Sequence, residues 1–176
     1  MAKWRWRERI TDHEQLARLE LLARVPLFAG LSHRQLGKLL VKLFEKEYQP
    51  GEIIFKQGEP GKALFIVLSG KILIVRTSHG PEEEIAALGS GAYFGELALI
   101  DDQPRSGSAR ASEPSVLLIL YKSDFDELIE GQRAIAIKVM ANLLKALAGY
   151  VRTTQSRATP RNPLIGGPLA ATAKRE

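Results

Sequence analysis

Residues 48–77 read YQPGEIIFKQGEPGKALFIVLSGKILIVRT. Short apolar, β-branched runs are cut apart by Pro50-Gly51, by Gly58 through Gly61 and by Ser69-Gly70. Runs of this kind, bounded by turn residues, read as strands joined by tight turns. The rhythm continues downstream. His79-Gly80-Pro81 and Gly89 to Gly91 set off EIAAL, and VLLILY follows Arg110. Turn signals recurring roughly every eight to twelve residues imply an all-β sandwich or barrel. No helix-length segment separates the runs, so an α/β reading does not fit residues 48–121.

Helical patterns flank this region. DHEQLARLELLAR (12–24) sets Leu16, Leu19, Leu22 and Ala23 at helical spacing behind Asp12, a candidate N-cap. Pro26 and Gly30 interrupt it. Ser32 and Gln35 then form a capping-box pattern ahead of the stripe Leu36, Leu39, Leu40 and Leu43. After the strands, Ser123 precedes a short helix, DFDELI, and a long helix is predicted over about 132–152. Two stripes run along the long helix. One is Ala136, Met140, Leu143, Leu147 and Tyr150; the other is Ile137, Ala141, Leu144, Ala148 and Val151. Either both belong to one wide core-facing surface, or one lies on the barrel and the other meets a second copy of the chain.

The expected fold class is α+β. An antiparallel β-roll, a double-stranded jelly-roll-like barrel, is flanked by N-terminal helices, a short helix in the loop after residue 94 and a long C-terminal helix. The expected divisions are a basic segment 1–11 and a domain 12–152, followed by a tail 153–176. Within the domain, helices span 12–46, the β-roll 48–121 and the C-terminal helices 123–152. The tail has no period and is rich in Pro, Gly, Ala and Thr, which predicts disorder.

Composition narrows the function. The chain has 176 residues, 45% hydrophobic and 26% charged, an ordinary globular balance. It has no cysteine, which excludes disulfides, thiolate metal sites and cysteine nucleophiles. No apolar run approaches the ~18 residues of a membrane span, and no apolar segment follows the basic N-terminus as in a secretory signal. A cytoplasmic protein fits these features. The net charge is +5, but residues 1–9 carry +3 of it and residues 152–176 carry +4. That leaves −2 on residues 10–151, so the basicity sits in the ends and not on a nucleic-acid-binding face.

Residues 94–110, FGELALIDDQPRSGSAR, carry the candidate site. They lie between two predicted strands, with a short helical turn opening at Gly95-Glu96. Free backbone N–H groups at such a turn suit an anion. Gly95 lets backbone approach a ligand closely. Arg105 offers a planar fork for a phosphate, and Ser106 adds a hydroxyl. Glu96 is a poor neighbour for phosphate but a good acceptor for a sugar hydroxyl. A ribose phosphate meets both demands. A structural ion pair between Glu96 and Arg105 is the competing reading. Asp101-Asp102-Gln103-Pro104 reads as a solvated loop, since two adjacent aspartates without further oxygen ligands are a weak metal signal.

FGELALIDDQPRSGSARA resembles the phosphate-binding cassette of the cyclic nucleotide-binding domain family, to which catabolite activator proteins and protein kinase A regulatory subunits belong. VPLFAGLS and YQPGEIIFKQGEPGKALFIVLSGKILI resemble that family's helical lead-in and first strands, and the likeness covers about residues 24–152. The resemblance implies that Glu96 accepts from the ribose 2′-OH. It implies that Arg105, Ser106, Gly95 and the backbone of Leu97 and Ala98 hold the cyclic phosphate. It places Ile74, Ile85 and Tyr150 around the base. The ligand expected is cAMP, with cGMP second to it, and no metal and no further cofactor is expected.

Only 24 residues follow Arg152, too few for a winged-helix DNA reader, and no catalytic segment is apparent. The expectation is therefore a free-standing, non-enzymatic sensor that moves its last helix on binding and acts through an unknown protein effector. The runner-up is a dimerisation or interaction module with a vestigial pocket. A metal enzyme on a similar β-roll is disfavoured, because His13, His33 and His79 are scattered along the chain.

Overall fold

The structure, a computed structural model, describes residues 12–78 and 80–156. The expected basic segment 1–11, His79 and the tail from residue 157 lie outside the described residues. The first helix, α1, spans Asp12–Arg24. A 3₁₀ turn at Pro26–Phe28 follows, and α2 spans His33–Leu40. Ser32 caps α2 as its sequence predicts: Gln35 N–H donates to Ser32 Oγ, and Ser32 N–H donates to Gln35 Oε1.

Among the described residues, eight antiparallel strands form two four-stranded sheets. The strands are β1 (Phe44–Tyr48), β2 (Ile53–Phe55), β3 (Ala63–Ser69), β4 (Ile72–Arg76), β5 (Glu83–Leu88), β6 (Tyr93–Phe94), β7 (Ser108–Ala111) and β8 (Ser115–Tyr121). One sheet runs β1-β8-β3-β6 and the other β2-β7-β4-β5. The two stay separate, so the strands form a roll and not a closed barrel. Helix α3 covers Lys122–Gly131 and α4 Arg133–Ser156.

Three expected boundaries move. The helical region ends before residue 46, because FEKEY is a strand, β1, paired with β8 from Phe44↔Ile119 to Tyr48↔Ser115. Helix α3 begins at Lys122, ahead of Ser123. Helix α4 runs on through residue 156, so the first four residues of the expected tail are helical.

Two cores result. Phe65, Val67, Ile72, Phe94, Leu117 and Ile119 fill the space between the sheets. Leu64, Ile66, Leu118 and Leu120, on the opposite face of the same strands, meet the helices through Phe28, Phe125, Leu128, Ile135, Val139 and Leu143. Strand alternation thus lets β3 and β8 serve both cores.

Helix α4 is anchored to the N-terminal helices by polar bonds as well. Asn142 Nδ2 donates to Leu27 O at 3.1 Å and Ala29 O at 2.9 Å, and Lys138 Nζ donates to Gly30 O at 2.6 Å. By length and composition Arg133–Arg152, of mean hydropathy 1.5, is long and apolar enough to cross a membrane, contrary to the sequence expectation. Its contacts here are those of a helix capping the roll. Ile135, Ala136, Val139 and Leu143 are buried, whereas Ile137, Ala141, Leu144, Ala148 and Val151 are exposed. The two stripes therefore do not share one core-facing surface.

Gly70 shows how tightly one turn is set. It adopts φ +87°, and an added Cβ would meet Ser115 Oγ and lie 2.5 Å from Pro114 O. Gly51 adopts φ +83° with open space around it. Gly51→Ala should cost about 1–2 kcal/mol of left-handed strain. Gly70→Ala adds overpacking and should cost at least ~3 kcal/mol. Urea denaturation of both variants checks the ranking; equal losses would contradict it.

Candidate functional site

Strand β6 ends at Phe94, and Gly95 takes φ +73° to turn the chain into a 3₁₀ turn, Glu96–Leu99. The loop 100–107 leads back to β7. Its return is pinned by Arg105 N–H donating to Glu59 O and Gly58 N–H donating to Arg105 O. Between these elements lies an open pocket. Gly95, Glu96, Leu97, Ala98, Arg105 and Ser106 all line it. The six cassette residues expected from sequence are thus brought together.

Arg105 is held from three directions. Nη1 donates to Gly95 O at 3.1 Å, Nη2 donates to Ala63 O at 2.8 Å, and the guanidinium lies over the Phe55 ring at 4.2 Å. Its Nε–H has no hydrogen-bond partner among the described residues. A Cβ on residue 95 would sit 2.5 Å from Arg105 Nη1, so the glycine is required for this approach as well as for its positive φ.

Glu96 is 1% exposed, and its Oε2 has no partner among the described residues. No ion pair joins it to Arg105; the pairing expected as the competing reading is not formed. Burial pushes the Glu96 carboxyl up to about 7, against the smaller opposing pulls of its own backbone N–H and the nearby Arg105 charge. Burial likewise lowers the affinity of Arg105 for its proton, partly offset by Glu96 and Glu59. A buried carboxyl and a half-buried guanidinium sharing one pocket without pairing are costly, and a polar ligand between them would satisfy both.

The remaining expected residues divide. Ile74 lines the pocket. Ile85 packs against the inter-sheet core from β5, where the register slips between Ile74↔Ala86 and Val75↔Glu84. Tyr150 sits half-buried on α4, which packs against α3 and the Pro26–Phe28 turn, and it is not part of the pocket wall. Ala98 N–H already donates to Gly95 O at 3.3 Å. Sequence reasoning passed over Phe55 and Phe94, both in the wall. Their only signal was an aromatic as the last residue of a strand, before a turn, Phe55 in β2 and Phe94 in β6.

The geometry and the comparisons agree. The chain matches the cyclic nucleotide-binding domain model over residues 45–132. It belongs to the cyclic nucleotide-binding domain family. The cyclic AMP receptor protein of Thermus thermophilus is 39% identical over 123 residues, 69% of this chain and 57% of that protein. This chain thus spans little more than half of that relative. A solved cyclic nucleotide-binding domain from Methylobacillus flagellatus superposes with a TM-score of 0.73 at 26% identity, covering 86% of this chain and 85% of that one. The regulatory domain of Toxoplasma gondii protein kinase A, crystallised with cAMP, gives 0.63 at 25% identity over 77% and 53% of the two chains. The family is one of regulatory binding domains.

The raised Glu96 carboxyl makes stability depend on pH. The folded protein holds this proton more tightly than the unfolded chain does, so stability should fall as pH rises from about 4.5 through about 7. On that shift the loss is on the order of 3 kcal/mol. Glu96→Gln should remove it, gaining on wild type at pH 8 relative to pH 5 in denaturant titrations. Parallel curves for the two proteins would contradict the assignment.

Proposed function

We propose that this chain is a regulatory sensor that binds cAMP in preference to cGMP and passes the signal through its helices to a protein effector. The observation that carries the reading is the unpartnered, buried Oε2 of Glu96 in the same pocket as Arg105. Glu96 accepts the ribose 2′-OH. Arg105 pairs with the cyclic phosphate, with Ser106, Gly95 and the backbone of Leu97 and Ala98 completing the cradle. Ile74 supports the base; Ile85 and Tyr150 reach it only if the roll or α4 moves. The preference for cAMP is supported by the nucleotide named for the Thermus relative and bound in the Toxoplasma domain. A cytoplasmic, non-enzymatic module fits the same reading.

A route to the helices is built into the pocket wall. Leu99, on the 3₁₀ turn that carries Glu96, is buried in the helix-side core with Phe125, Leu128 and Ile135. Asp102, in the following loop, pairs with Lys122 at the start of α3 at 3.3 Å. Phosphate capture that draws the turn inward moves Leu99, and α3 and α4 re-pack. The ligand shifts this equilibrium by its differential affinity for the two arrangements.

Calorimetry with cAMP and cGMP tests the proposal. Wild type should bind both, cAMP more tightly, and Arg105→Ala should lose ~2–5 kcal/mol of cAMP affinity. A wild type that binds neither at high micromolar concentration would overturn it.

A second element of the reading concerns self-association. Ile137, Ala141, Leu144, Ala148 and Val151 advance by alternating four and three residues and all face solvent. That is a heptad seam lacking its partner, and the small alanines permit close helix approach. The occupant proposed is α4 of a second copy. Sedimentation equilibrium should show a concentration-dependent dimer that Leu144→Glu abolishes; a monomer at all concentrations would contradict it. A dimer indifferent to nucleotide would favour the interaction-module alternative.

A further inference from the structure

Phe55 stands where strand alternation alone would not put it. Residues two apart on a regular strand share a face. Ile53 is nevertheless 50% exposed, while Phe55 packs against the inter-sheet core. The pairing explains this. Ile53 stands opposite Arg110 and Phe55 opposite Ala109, so two residues of β2 answer one of β7. A bulge of this kind re-aims a side chain, and bulges are over-represented beside functional sites. Here it sends the ring to the pocket wall.

What the ring meets there is Arg105. The guanidinium carbon lies 4.2 Å above the Phe55 centroid, and the Phe65 ring is farther, at 5.6 Å. Phe55 is braced in turn by Phe65 at 5.6 Å and Phe94 at 5.9 Å, each tilted by 41°. The attraction of a cation to a ring face strengthens away from water, and Arg105 Nε is buried. A guanidinium on a long stem loses rotamer freedom when it binds, and prior immobilisation lowers that cost. The carbonyls of Gly95 and Ala63 fix the two outer nitrogens. The ring fixes the plane.

We propose that Phe55 is a positioning residue: its ring face holds the Arg105 guanidinium in its ligand-receiving plane before ligand arrives. The part of this that concerns ligand rests on the function proposed above. An aromatic ring is required, not apolar bulk alone, which separates the role from that of an ordinary core residue.

The test has two arms on the full chain. The first is the ¹H–¹⁵N signal of the Arg105 Nε–H in ligand-free protein, identified by its loss in Arg105→Lys. Held over a ring face, this proton should resonate upfield of the other arginine Nε–H signals. Phe55→Leu and Phe55→Met should both return it to the bulk position, and Phe55→Tyr should keep it upfield. The second arm is calorimetry. The ringless variants should bind cAMP about tenfold more weakly, and Phe55→Tyr should stay close to wild type. Two ringless variants guard against one failing to fold, checked by thermal denaturation. An Arg105 signal unmoved in a folded ringless variant overturns the proposal, as does unchanged cAMP affinity in that variant. If wild type binds no cyclic nucleotide, the ligand reading fails, and the first arm alone decides whether Phe55 holds Arg105.

Discussion

A guanidinium half-buried at the wall of a β-roll needs partners there. The two outer nitrogens of Arg105 are satisfied by backbone carbonyl oxygens, one from β3 and one from the glycine that turns β6 into the cassette, while Nε is left without a partner among the described residues. The rest of the site follows from that arrangement. Gly95 must lack a Cβ because Nη1 occupies the space. The 58–60 turn must fold back on residue 105 to fix its backbone. Phe55 must leave the alternation of its strand to cover the cation. Glu96 lines the same pocket without pairing, which leaves its Oε2 and the Nε of Arg105 without partners at the expense of stability. A fold that tolerates such a cost is organised around something that offsets it when bound.

The same turn ties chemistry to mechanics. Glu96 faces the pocket, while Leu99, three residues later, is buried among the helices. One short 3₁₀ segment therefore belongs to both the pocket wall and the helical core. Close-packed interiors do not deform continuously, so displacing Leu99 favours a different packing of α3 and α4 over a gradual strain. On the proposed mechanism, re-packing would have to break or carry along the polar bonds of Asn142 and Lys138 to the 27–30 backbone.

Much of this was legible in the sequence, for identifiable reasons. Glycines at residues 51, 58 and 70 all adopt positive φ, so the turn punctuation reported real backbone constraints. That Glu96 and Arg105 line one pocket was legible because a carboxylate and a guanidinium stand among small residues on one short insert between strands. The strand FEKEY was not legible, since its charged alternation continues a helical stretch and only β8 makes it a strand. Phe55 was hidden because a bulge reverses the face that alternation assigns. The periodicity of α4 showed two stripes, but which one meets the core depends on α3 and the Pro26–Phe28 turn, and no local pattern encodes that.

The most direct measurement is a crystal structure of the chain grown with saturating cAMP. The account predicts density in the pocket with the cyclic phosphate against Arg105 and the ribose 2′-OH against the free oxygen of Glu96. A nucleotide bound with its phosphate away from Arg105, or a pocket without nucleotide under saturating ligand, would contradict it.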